Sequence, residues 1–280
     1  MKPVELTYGS DKHGLVWGYL FAPGYPGREI GTGDVMAYLA SPAHPADGKF
    51  LWLHFSLSNA ATALWLREHL DLPSAFFDSL RGNVGSTTLE QEAEALVAVI
   101  HDVLFDTAFD TSGISTASIC LQSRLLISAR IRPLRSIDRL RAAVKSGQAV
   151  RSATDLLAHL LRDQASVLAD ILRQSTTRID TIEDALLARR TSASRGELGG
   201  LRRTLVRLQR LLAPEPAALF RLLSRPPVWI SEDDLQELRQ SAEEFSVTVG
   251  DTAVLVERVK LLQEEPVPRS TNKPTAPCSC

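Results

Sequence analysis

From Leu235 to Val259 the apolar positions recur in alternating steps of three and four: Leu235, Leu238, Ala242, Phe245, Val249, Thr252, Val256 and Val259. A stripe of that period keeps one narrow face of a long helix turned toward another helix. Ser231 stands where a helix cap is needed, Asp234 fills the capping-box position, and Ile230 with Leu235 has hydrophobic-staple spacing. The other end carries no such signals. Glu264 and Glu265 suit a negative helix terminus poorly, no Gly or Asn closes the last turn, and Pro266 stops the pattern. The helix reads as interrupted rather than finished.

Two further stretches share its character. Leu156-Leu157, Leu160-Leu161, Val167-Leu168, Ile171-Leu172, Ile179, Ile182 and Leu186-Leu187 mark one helix of about 35 residues, and Leu198, Leu201, Leu205, Leu208 and Leu212 mark another. Pro214, Pro216, Pro226 and Pro227 break up the connection to the capped helix, which spans roughly 50 Å. Helices this long cannot bury their seams alone, so an antiparallel, coiled-coil-like bundle or an oligomer is expected.

The first 150 residues are different. Residues 15–21, 50–55, 96–104, 114–121 and 125–129 are short apolar or aromatic runs, as buried strands require. The segment 22–34 is punctuated by Gly and Pro and reads as a loop; 59–70 reads as an Asn-capped helix and 136–146 as an amphipathic one. The fold class is therefore α+β: a mixed sheet domain over 1–150, a helical stalk over 151–265, and a disordered or non-native tail over 266–280.

Composition narrows the function. A net charge of -2 gives no electrostatic case for nucleic-acid binding, and no run reaches the roughly 18 apolar residues that span a bilayer. The N-terminus lacks the apolar core of a signal peptide, so the expected compartment is the cytoplasm. Cys120 reads as a small buried hydrophobe, with Cys278 and Cys280 in the tail. The six histidines have no ligand spacing, and His54 reads as a core histidine. No nucleophile or acid–base constellation stands out, so no enzyme and no tightly bound cofactor is expected. Two acidic groups are the candidate metal sites: Asp180, Glu183 and Asp184 within one helical turn, and Glu232, Asp233 and Asp234 opening the last helix. Hard cations take such oxygens weakly, so Zn²⁺ or Mg²⁺ would bind loosely there. An acidic first turn and a solvated helix face explain the same residues without a metal.

Two stretches resemble the cytoplasmic part of CorA-type divalent-cation transporters, and among them the zinc-transporter, ZntB-like branch. One is ICLQSRLLISARIRPLRSIDRLRAAVKSG at 119–147: strand, tight turn, strand, Pro and helix in that family's order. The other covers 201–265, with LRRTLVRLQRLLAPEPAALFRLL and WISEDDLQELRQSAEEF, while residues 50–59 and 94–106 are similar to the family's strands. The resemblance implies a funnel-shaped homopentamer whose last helix runs on into the membrane as the pore-lining helix. Leu235, Leu238, Phe245, Val249, Val256 and Val259 would then be the stalk and oligomer seam. The family's two membrane helices and Gly-Met-Asn loop are missing from this sequence, so the chain by itself is expected not to conduct ions. The expected function is the sensing and gating domain of a Zn²⁺ or Mg²⁺ transporter, at the cytoplasmic face of the membrane; the alternative is a soluble helical scaffold derived from that domain.

Overall fold

The computed structural model describes residues 9–40, 48–81, 87–104, 113–188 and 191–264. The tail expected at 266–280, with Cys278 and Cys280, lies outside them.

Seven strands form one sheet: β1 (Leu15–Ala22), β2 (Tyr25–Ile30), β3 (Phe50–Ser56), β4 (Thr88–Glu92), β5 (Ala95–Val103), β6 (Ile114–Gln122) and β7 (Leu125–Arg130). Their order is β2-β1-β3-β7-β6-β5-β4, with β3 and β7 parallel and every other neighbour antiparallel. Every residue of β3 is buried, because helices cover both faces of the sheet. On one face Leu51, Leu53 and Phe55 meet Val35, Trp65, Leu66 and Phe76 from α1 (Thr32–Ala40), α2 (Thr62–His69) and α3 (Ser74–Arg81). On the other, Trp17, Trp52 and Ile119 meet α4 (Arg135–Lys145) and the first turns of α5 (Ala153–Leu187). Leu219 of α7 (Pro214–Ser224) and Leu235 of α8 (Glu232–Glu264) close that same core. The roots of the long helices thus belong to the sheet's packing.

Three expectations need correction. Tyr25–Ile30 is an edge strand rather than loop; Pro26 and Gly27 are tolerated because an edge strand bonds on one side only. Asn59 does not cap α2, which starts at Thr62; its Oδ1 accepts from the N–H of Ala61, the residue just before the helix, at 2.9 Å. The proline-rich connection holds a helix, α7, since Pro214 sits in the first turn where its missing N–H costs nothing.

The stalk consists of α5, α6 (Thr191–Leu212) and α8. Ser152 at the start of α5 bonds Asp234 at the start of α8, and Arg258 near the end of α8 bonds Asp180 near the end of α5. These two helices therefore run parallel. Antiparallel packing, expected throughout, holds for α6, whose Arg202 meets Gln263 at the far end of α8. The physical reason is α7, which keeps the chain at the sheet end so that α8 starts where α5 starts.

Leu235, Leu238, Phe245, Val249 and Val259 are buried; Val256 is half-buried, and Leu255 joins the seam. Leu235 and Leu238 join the sheet-side core, whereas Phe245, Val249, Leu255 and Val259 pack with residues such as Ile171, Ile179 and Ile182 of α5 and Leu198, Leu201 and Leu205 of α6. The seam closes within one chain, so it does not itself require a second copy. A separate line remains on the outside of α8: Val247, Val254 and Leu261, seven residues apart and 66%, 71% and 58% exposed.

Candidate functional site

The two acidic groups lie at opposite ends of the stalk. Twenty-four residues of α8 separate Asp234 from Arg258, or about 36 Å at 1.5 Å per residue. At the far end, Asp180 and Glu183 are one turn apart on α5 and share Arg258 Nη2 at 2.7 Å each. Both carboxylates hold the guanidinium above its ordinary pKa, Glu183 first and then Asp180. All three side chains are partly in water, where such pairs contribute about 0.2–1 kcal/mol. Asp184 is exposed beside them.

At the near end, Ser231 caps α8 by accepting the Asp234 N–H at 3.2 Å. Asp234 does not complete a capping box; its Oδ2 accepts the Ser152 hydroxyl at 2.8 Å. Ser152 in turn caps α5 by accepting the Asp155 N–H at 2.9 Å, so two helix starts are joined cap to cap. Glu232 lies 3.9 Å from Arg239, and Asp233 is exposed. Among the described residues, no group of three His, Cys, Asp or Glu is gathered to hold a metal ion.

His54 is a core residue. Ser128 Oγ receives the Trp52 indole N–H at 3.0 Å and lies 2.7 Å from His54 Nδ1. The hydroxyl oxygen has two lone pairs, so which of the two groups donates follows the ring's tautomer. Trp17 stacks on the imidazole at 4.0 Å. Burial, then the charges of Arg130 and Arg141, hold its pKa well below the ordinary value, so the ring is neutral. Cys120 is buried as expected, its thiol pushed up to about 12 by burial.

Sequence reasoning missed a third acidic group, at the root of the stalk. Asp102 on β5 is 2% exposed and accepts three hydrogen bonds: Ser136 N–H at 2.8 Å, Ser136 hydroxyl at 2.9 Å and Val103 N–H at 2.7 Å. Burial still pushes it up to about 6 against those donors. Glu215, in the first turn of α7, is 1% exposed, and neither carboxyl oxygen has a hydrogen-bond partner of normal geometry. Burial pushes it up to about 8; Gln164, Thr87 and the His101 N–H are near enough to oppose this, and Asp102 adds to it. Signals existed for both. Asp102 is the lone charge in the apolar run VAVIHDVLF, and Glu215 stands between two prolines in a Pro-Glu-Pro helix start.

An open cleft of about 380 Å³ lies elsewhere, beside α2 and α3, lined by Asn59, Thr62, Leu64, Arg67, Phe77 and neighbours. Among the described residues, no carboxylate, imidazole or thiol lines it.

A family profile described as "CorA-like Mg2+ transporter protein" matches residues 47–273. The chain is 25% identical over 268 residues to the divalent cation transporter CmaX of Pseudomonas aeruginosa, covering 94% of this chain and 78% of that one. The solved full-length CmaX superposes with a TM-score of 0.79 at 22% identity, over 91% of this chain and 77% of CmaX. A zinc transport protein ZntB of Yersinia enterocolitica is 23% identical over 227 residues, 79% of this chain and 69% of that relative. The ZntB cytoplasmic domain from Vibrio parahaemolyticus matches 90% of this chain and 99% of its own, with a TM-score of 0.65 and 13% identity. No described helix is long and apolar enough to cross a membrane.

Proposed function

The chain belongs to the CorA-like Mg²⁺ transporter family, and from that membership we propose that it forms the cytoplasmic sensing and gating part of a Zn²⁺ or Mg²⁺ transporter. The observation that carries this reading is the stalk. Its last helix is rooted in the sheet's core and runs uninterrupted from Glu232 to Glu264, away from the sheet. A helix anchored that way carries a displacement of the sheet layer to whatever lies beyond Glu264. Ion occupancy would shift the balance between stalk arrangements, to the extent that it binds one arrangement better than the other.

Weak, oxygen-based binding is assigned to Asp180, Glu183 and Asp184 ahead of Glu232, Asp233 and Asp234. The first three are accessible, whereas Asp234 is buried and committed to Ser152. A divalent cation there would compete with Arg258 and so loosen α8 from α5 at the far end. Self-association is assigned to the outer line Val247, Val254 and Leu261, with a pentamer as the assembly and the inner seam left closed. The relatives are transporters, and no enzymatic role is assigned.

The test is a chimaera in which residues 9–264 replace the matching part of CmaX, with divalent-cation uptake measured in cells depleted of transport. Cation-dependent uptake is expected, reduced by Val254→Asp through loss of assembly on light scattering with little change in the fold's circular dichroism. A correctly inserted chimaera without cation-dependent uptake, or one whose uptake and assembly ignore the Val254 change, would sink the reading.

A further inference from the structure

The root of the stalk holds three buried oxygen atoms with nothing to bond. They are Gln164 Oε1 on α5 and both carboxyl oxygens of Glu215 on α7. Gln164 cannot turn its amide to relieve them. Its Nε2 donates to the His101 carbonyl at 2.6 Å, and swapping O for N would set two acceptors against each other. Gln164 is near enough to Glu215 for its amide to act on the carboxyl, in the sense that favours the charged form. A carboxylate sealed there would still carry its charge on two oxygens that make no hydrogen bond of normal geometry, and one proton removes that charge.

We propose that Glu215 is a neutral carboxylic acid at neutral pH, and that in this form it keeps α7 seated against α5 and β5 at the junction of sheet and stalk.

The surroundings favour a proton over a metal ion. The adjoining void, lined by His101, Asp102, Gln164, Leu208 and Leu212 among others, is about 10 Å³, the scale of one water. The charged and titratable neighbours do not favour the carboxylate either. From β5, Asp102 repels it; Asp138 of α4 acts on Asp102 in the same sense; His101 is buried, and burial lowers its pKa. Thr87, just before β4, is committed to His101 Nδ1 at 3.1 Å and only reaches toward the Leu211 carbonyl at 3.5 Å. Gln164, Thr87 and the His101 N–H favour ionisation, as does the partial positive charge at the start of α7, and full burial outweighs them together.

The sign of the linkage follows. Folding takes up a proton at Glu215 between its ordinary value of 4.5 and about 8. The folded state binds more protons than the unfolded one in that window, so stability falls as pH rises through it. Above about 8 the carboxylate forms beside Asp102, and the first turn of α7 is released from α5. The device lies in this chain's own packing and does not depend on which ion is transported.

Infrared difference spectroscopy of the 280-residue chain tests it directly. A protonated carboxyl band is expected at pH 7, where Asp102 and Asp163, both near 6, are mostly ionised. It should vanish above pH 9 and be absent in Glu215→Gln. That variant supplies a permanent N–H, so its Tm should stay level from pH 6 to 9 while the wild-type Tm falls by several degrees relative to it. Gln164→Met, which keeps volume but removes an amide that favours the carboxylate, should move the loss of the band to higher pH and so tests the site should Glu215→Gln misfold. Absence of the band at pH 7 in the wild type overturns the proposal, as does the same pH slope in Glu215→Gln. A Tm rise with Na⁺, K⁺ or Mg²⁺ that Glu215→Gln abolishes overturns it too, by showing a cation on those oxygens.

Discussion

Asp180 with Glu183 on the stalk surface, and Asp102 with Glu215 at its root, are acidic pairs on one molecule with opposite physics. The first pair stands in water, shares Arg258 and keeps a negative charge that solvent already screens. The second is sealed by leucines and strand backbone, and burial raises both groups, to about 6 and about 8. The difference teaches that a cluster in the sequence and a coupled group in the fold are separate things. Neighbours along a helix are exposed by default, whereas residues 113 positions apart can be buried close enough to act on each other.

The sharpest way to break the comparison is to create a third kind of carboxylate, buried with no donors at all. Phe245→Asp does so in the seam, where Phe245 is fully buried, and should cost about 4 kcal/mol or prevent folding. Glu243→Ala, on the exposed side of the same helix, should stay within about 0.5 kcal/mol in denaturant titration. Equal midpoints would mean burial does not set the cost. Next in size is Asp102→Ala, which strands the Ser136 N–H and hydroxyl and should cost about 2 kcal/mol. Asp102→Asn can still accept there and should lose less. Because folded Asp102 titrates near 6 rather than 3.8, wild-type stability should fall as pH rises between those values, and Asp102→Asn should flatten that part of the curve. An unaltered pH profile would place the titration elsewhere. The smallest effect belongs to Arg258→Ala: under about 1 kcal/mol in stability, with tighter Mg²⁺ or Zn²⁺ binding by calorimetry once Asp180 and Glu183 are freed. Unchanged heats in both proteins would leave those carboxylates as a solvated face.

What the sequence revealed and what it hid divide along the same line. The heptad of α8, its Ser231 cap, the long run of α5 and the apolar cores of β3, β5, β6 and β7 are local patterns, readable because period and capping need only neighbours along the chain. Edge strands β2 and β4 were hidden because their exposed, polar or proline-bearing residues make no alternating pattern. Helix α7 was hidden because prolines that open a helix resemble prolines that end one. The six stalk carboxylates were easy to name, yet the fold sets them at two ends of the stalk. Glu215 was passed over because its partners come from β5 and α5, and no window on the sequence contains all three.

The bond from Ser152 to Asp234, with Arg258 clasping Asp180 and Glu183 at the other end, makes α5 and α8 two rails joined by rungs near both ends. Sliding one rail by a helical turn would break every rung together and drag the apolar seam out of phase. Such a frame resists shear along its length, and the apolar seam with the Arg162 bonds to Ser241 and Glu237 holds the rails together between the ends. A ligand that unclasps Arg258 therefore frays only the last turns of the pair, and the capped end beside the sheet stays fixed.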